Sequence, residues 1–194
     1  MLYLVRHGQT EFNAVGRWQG QCDSPLTDVG RAQAAHVASI LKSQGLNQTA
    51  TIVSSPLGRA IQTAEIIAST LGVDDPLTVD ARLKEVGMGS WDGLTDTEIE
   101  AEWPNVRDGL GHNEWFFHSS DGERYDEMLD RVQAALSELM HDLRVPKVVV
   151  CHGVTSRIVR GIHLGLSKNE ILDLEVPQNA AFRLSRAGSI ERLS

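Results

Sequence analysis

The chain has 194 residues, 41% hydrophobic and 23% charged, with a formal net charge of -8 and two cysteines, Cys22 and Cys151. That is the size of one domain (about 100–200 residues), with apolar content enough for a core that needs no disulfide staples. The acidic balance argues against nucleic acid, no apolar run approaches the ~20 residues of a membrane span, and the start reads as neither leader nor anchor, so a reducing cytoplasmic setting is expected.

Leu2–Val5 is a short apolar run that reads as a buried first strand, followed by a long Gly-, Asn- and Gln-rich loop from Arg6 to about Leu26. Thr27 caps a predicted helix from Asp28 to about Gln44, whose Ala34, Val37, Ala38 and Leu41 share one face. Thr51–Ser54 is a second strand, and Ser55-Pro56 is a helix start with Pro at the first helical position. Ser120 and Glu123 have capping-box spacing before a helix to about Leu143. Lys147–Cys151 reads as a Val-rich strand, Val154–Leu164 as a helix, and Ala180–Leu184 with Ser189–Leu193 as a terminal hairpin. This alternation predicts an α/β fold, a three-layer α/β/α sandwich with a mostly parallel central sheet. Residues 86–121 carry Trp91, Trp103, Trp115, Phe116, Phe117 and many acids, and read as an insertion or lid within a single domain spanning 1–194.

In such a sheet ligands bind beyond the carboxyl ends of the strands. The first strand ends in Arg6-His7-Gly8, the second leads to Arg59, and a later one ends in Cys151-His152-Gly153. Taken alone, each cation reads as a solvated surface charge or a structural histidine. Together they bring two arginines and two histidines to one edge of an acidic protein, and an anion supplies a reason for that. Guanidinium groups match phosphate oxygens bidentately, and free N–H groups of the helix starting near Pro56 point to the same region. A neutral imidazole at His7 can attack phosphorus.

The run Leu2-Tyr3-Leu4-Val5-Arg6-His7-Gly8-Gln9-Thr10-Glu11-Phe12-Asn13 resembles the signature of the histidine phosphatase superfamily, the phosphoglycerate mutase-like proteins. The resemblance continues through Gly16–Gly20, Asp23–Thr27, Gly30, Gln33-Ala34, Ser54–Ala64, Leu83–Glu85, Gly89–Gly93 and Val148–Gly153, nearly the whole chain. It implies that His7 is the nucleophile, that Arg6, Arg59, His152 and Asn13 hold the phosphoryl group, and that Glu85 is the general acid and base. Thr10, Gln19 and Gly20 match loop positions near the substrate. To hold a proton near neutrality Glu85 needs partial burial or a neighbouring acid. The chain departs from the family at Gly122-Glu123-Arg124, where Gly-Glu-Ser is usual, which leaves Arg124 without an assigned role.

Several rivals were weighed. His7, His152 and Glu85 are metal-ligand types, but no His-Glu-x-x-His motif occurs and flanking Arg6 and Arg59 repel a cation; no metal is expected. His36, His112, His118, His141 and His163 show no ligand-like grouping, and Cys151 reads as a buried small hydrophobe rather than a nucleophile. A catalytically inactive phospho-ligand binding module is disfavoured because every site residue is kept. Within the family, a cofactor-dependent mutase, with 2,3-bisphosphoglycerate, would carry Arg-His-Tyr-Gly after the catalytic Glu and a more basic insertion. Here Glu85 is followed by Val86-Gly87-Met88-Gly89, and the insertion sets Glu98, Glu100, Glu102, Asp108 and Glu114 against Arg107. The reading is a metal-independent phosphomonoesterase that needs no cofactor, whose partner is a small phosphorylated substrate; which ester, and the oligomeric state, stay open.

Overall fold

The computed structural model describes residues 1–111 and 113–194; His112 lies outside the described residues. The elements run β1 (Leu2–Arg6), α1 (Glu11–Ala14), α2 (Asp28–Ser43), β2 (Thr51–Ser54), α3 (Gly58–Leu71), β3 (Thr78–Val79) and α4 (Asp96–Glu102). They continue with α5 (Tyr125–His141), β4 (Lys147–Cys151), α6 (Gly153–Leu164), α7 (Lys168–Asp173), β5 (Ala181–Leu184) and β6 (Ile190–Leu193). The sheet order is β3-β2-β4-β1-β5-β6. β1, β2, β3 and β4 are parallel, and the β5–β6 hairpin adds antiparallel to β1.

Strand side chains alternate between faces, and in β1 both faces are apolar, as a strand covered on both sides requires. Leu2 and Leu4 join one core with Met128 and Val132 of α5, Ile158 of α6 and Val149 of β4. Tyr3 and Val5 join the other, with Val37 and Leu41 of α2, Ala64 and Ile67 of α3 and Val148 and Val150 of β4. The expected three-layer sandwich follows: a mostly parallel sheet between two helical layers.

The local details differ in places. Helix α3 starts at Gly58 with Leu57 as its N-cap, so Pro56 precedes the helix instead of opening it. Helix α5 starts at Tyr125, where the Glu127 carboxylate accepts the Arg124 N–H at 2.9 Å. The Ser120–Glu123 box does not form because Glu123 is drawn to Arg131, whose Nη2 lies 2.7 Å from its Oε2. Arg124 is exposed and donates to the Phe117 carbonyl at 3.2 Å, a role in local chain packing.

Residues 86–121 are stitched to the first loop. Trp18 N donates to Leu94 O at 2.8 Å, Gly93 N to Trp18 O at 2.6 Å, and Arg17 pairs with Glu98 at 2.7 Å. Val86, Met88, Trp91, Ile99, Trp115, Phe116 and Phe117 are buried in the α5–α6 core. Two more of its acids are paired: Asp96 with Arg107 at 2.7 Å, and Glu114 with Lys168.

Candidate active site

The parallel strands end at one edge, where Arg6, His7, Asn13, Gln19, Gly20, Arg59 and Glu85 line a cleft of about 290 Å³. His152 sits directly behind them, fully buried, its ring centroid 5.2 Å from that of His7. The fold thus brings together eight of the nine residues singled out in the sequence. The ninth, Thr10, is buried outside the lining and caps α1, accepting the Asn13 N–H at 3.1 Å. It sets Asn13 and does not face the cleft.

His7 is buried, and its Nδ1 lies 2.7 Å from Gly8 O. A carbonyl can only accept, so Nδ1 carries the proton and Nε2 keeps its lone pair. Burial, then the charges of Arg59 and Arg6, depress its pKa well below the usual histidine value, so the ring is neutral at physiological pH. His152 is depressed for the same reasons, burial first and then Arg59 and His7. Its Nε2 lies 2.7 Å from Ser55 Oγ, while its Nδ1 is buried without a partner.

The same lack of a partner marks Arg6 Nε, Arg59 Nε and Gln19 Oε1. Buried polar groups are nearly always hydrogen-bonded, so two guanidinium donors left unpaired beside one imidazole mark a place for an acceptor. The two guanidinium groups are held from behind. Arg6 donates Nη1 to Val176 O at 2.5 Å. Arg59 donates to Gly20 O and Cys22 O, both at 2.7 Å, and pairs with Asp23 at 3.3 Å.

The Nη1 end of the Arg59 fork is occupied by the protein, while its Nε and the second Nη2 N–H remain to meet a phosphate side-on. One expectation does change. The first N–H groups of α3 are also taken, because the Asp23 carboxylate accepts from Gly58 N and, at 3.2 Å, from Arg59 N.

Glu85 is half-buried, meeting the expectation of partial burial. Its Oε1 accepts Thr155 N at 3.1 Å and its Oε2 accepts Val154 N at 3.1 Å, so the side chain rests on the first turn of α6. Gly153 lies between the two groups: a Cβ there would sit 3.5 Å from Glu85 Oε2 and 3.6 Å from Arg6 Nε, ordinary van der Waals contact. Cys151 is fully buried and its thiol pKa is pushed up by that burial, so it is no nucleophile at neutral pH. Among the described residues no three His, Cys, Asp or Glu side chains form a metal-holding group.

The sequence reading missed four contributors. Asp23 anchors Arg59, and Gln178 Nε2 reaches His7 O at 3.3 Å and Asn13 Oδ1 at 3.2 Å. The Val176 carbonyl holds Arg6, and Arg157 lines the cleft. Arg157 lies five residues past His152 on the emerging helix, and that spacing was its one available signal. Of the nearby aromatics, Trp18 and Phe116 line this cleft, while Trp115 and Phe117 are buried core outside it.

A neutral imidazole with a free lone pair, ringed by unpaired donors at the carboxyl edge of an α/β sheet, defines a site for a tetrahedral oxyanion. The comparisons agree. Residues 2–189 match the histidine phosphatase superfamily (branch 1). A probable phosphoglycerate mutase GpmB from Citrobacter koseri is 40% identical over 169 residues, covering 85% of this chain and 75% of that one. In structure, Bacillus stearothermophilus YhfR superposes with a TM-score of 0.82 at 28% identity, covering 98% of this chain and 93% of that one. A mycobacterial glucosyl-3-phosphoglycerate phosphatase complexed with VO3 gives 0.76 at 29%, covering 100% and 96%. The chain belongs to the histidine phosphatase superfamily, whose chemistry is phosphoryl transfer.

Proposed function

We propose that the protein hydrolyses a small phosphate monoester in two steps through a phosphorylated His7. In the first, His7 Nε2 attacks phosphorus in line, the P–O ester bond breaks, and Glu85 gives its proton to the departing alkoxide. In the second, Glu85 takes a proton from water, which attacks the phosphohistidine and releases inorganic phosphate and the free imidazole. Oε2 of Glu85 has one hydrogen-bond donor, Val154 N, which leaves a lone pair for that proton.

Arg6 Nε, Arg59 Nε, His152 Nδ1 and Asn13 hold the phosphoryl oxygens. Ser55 donating to Nε2 of His152 puts that ring's proton on Nδ1, the unpaired atom. Gln19 and the loop at Gly20 border the substrate, and residues 86–121 form the lid that keeps bulk water out. Charge developing on the phosphoryl group is balanced by guanidinium groups, with no metal required. The carrying observation is the His7–Gly8 hydrogen bond, whose tautomer leaves Nε2 the lone pair that this reading needs for attack.

The mutase reading draws on the name of the 40%-identical relative. Against it stands the local pairing of the lid: Arg107, its one cation weighed above, already pairs with Asp96 and lies 3.9 Å over the Trp115 ring. A screen of phosphomonoesters with and without 2,3-bisphosphoglycerate decides between them. Free phosphate, unchanged by the bisphosphate and by chelators, is expected; isomerised product that depends on the bisphosphate would replace this reading with the mutase one.

A further inference from the structure

Beyond the phosphoryl cup, the same cleft continues along Trp18, Val86, Met88, Phe116, Val154 and Val176. Trp18 is the exposed member of that wall, at 38% relative exposure. It does not swing freely. Its Nε1 donates to Asp96 Oδ1 at 2.6 Å, and its ring meets Trp115 edge-to-face at 5.0 Å. With its single donor used, the indole can offer a ligand only its apolar face, in a fixed orientation.

The charges of the cleft bear on the same question. Its arginines are Arg6, Arg17, Arg59 and Arg157. Arg17 is engaged by Glu98 through both oxygens, at 2.7 and 2.9 Å, and Arg59 by Asp23. Glu85 is neutral when the ester binds, since it holds the proton it will give to the leaving group, and both histidines are neutral. Four cations against two anions leave two net positive charges among the described residues, on Arg6 and Arg157. A phosphate monoester dianion already balances that. A second anionic group on the substrate would enter a half-enclosed cleft whose net positive charge the phosphate already balances, and desolvating an uncompensated charge is costly.

We infer that the alcohol half of the substrate is uncharged and carries an apolar, ring-sized body that lies on Trp18. This rests on the phosphatase reading above and narrows it: esters of the phosphoglycerate type, with a carboxylate beside the phosphate, are disfavoured.

The test uses the whole wild-type protein and leaving alcohols of similar acidity, so that chemistry does not mask recognition. Rates are compared on benzyl phosphate, ethyl phosphate and 4-carboxybenzyl phosphate, with 3-phosphoglycerate alongside. The expected result is kcat/KM at least about tenfold higher for benzyl than for ethyl or 4-carboxybenzyl phosphate. Trp18→Ala should shrink the benzyl-to-ethyl ratio to under about threefold, and Trp18→Phe should keep most of it; a ratio is read because a general disturbance lowers both rates together. Benzylphosphonate should compete more strongly than ethylphosphonate with the wild-type protein, a readout independent of any variant's folding. Ethyl phosphate used as well as benzyl phosphate, or preference for either carboxylate-bearing ester, would overturn this inference and leave the phosphatase reading standing. No hydrolysis of any ester would overturn the phosphatase reading, and this inference with it.

Discussion

Asp23 grips the start of α3 at three points: its carboxylate accepts from the backbone N–H groups of Gly58 and Arg59 and pairs with the Arg59 guanidinium at 3.3 Å. Arg59 is 1% exposed, while Asp23 remains 42% exposed, so the acid lies at the mouth and the buried base below it. One side chain therefore starts α3, orients Arg59 and keeps the helix N-terminus from serving as the anion site. Asp23→Ala should cost about 1 kcal/mol of stability, as loss of a capping carboxylate does. It should also raise KM for a phosphate ester about tenfold, as Arg59 loses its fixed aim. Chemical denaturation with steady-state kinetics checks both; an unchanged KM would show that the carbonyls of Gly20 and Cys22 suffice to aim Arg59.

Glu85 lies against the first turn of α6 with both oxygens engaged by that helix. Glu85→Gln preserves the shape and removes the exchangeable proton. The expected loss is about 10²–10⁴-fold in kcat on alkyl esters, and much less on 4-nitrophenyl phosphate, whose leaving group needs no proton. An equal loss on both would assign Glu85 to positioning α6 instead of proton transfer.

Gly8 and Gly30 meet backbone to backbone. A Cβ on Gly30 would lie 2.0 Å from Gln9 O, and one on Gly8 2.2 Å from Gly30 O. Gly30→Ala should therefore push the loop after His7 outward, destabilising the fold by about 1–3 kcal/mol. Its Tm should fall, and kcat/KM should fall with it at temperatures where the protein remains folded. A Tm equal to wild type would show that the loop has room to yield.

His7 and His152 set the acid limit of stability. Both are buried with pKa values depressed well below that of an unfolded histidine, about 6.5. Between the folded and unfolded values the unfolded chain binds more protons, so acid favours unfolding. The stabilisation is complete above about pH 6.5 and erodes as pH falls toward the folded values, by about 1.4 kcal/mol per pH unit for each ring. Urea midpoints measured from pH 7.5 to 5 should fall less steeply for His7→Gln than for the wild type. Parallel profiles would mean that His7 is solvated and protonated at mildly acid pH.

Much of this was readable in the chain because it depends on local pattern. The apolar runs of β1, β2 and β4 announce buried strands, and Thr27 with its four-residue apolar face announces α2. Arg6, His7 and His152 follow directly from strands, so the edge they share can be derived from topology. What could not be read are contacts across long sequence separation. Asp23 reaches Arg59 36 residues away, Glu85 reaches Thr155 across 70, and Val176 reaches Arg6 across 170. The competing partners also decided the misread helix starts. Glu123 had the spacing of a capping box, yet the half-buried head of Arg131 offered two charge-assisted bonds in place of one backbone N–H.

The most direct test of the account is to trap the covalent intermediate. Rapid quench of the wild-type protein with a ³²P-labelled monoester should give a burst of acid-labile, base-stable label that maps to His7 and is absent from His7→Ala. Label on another residue, or full turnover by His7→Ala, would contradict it.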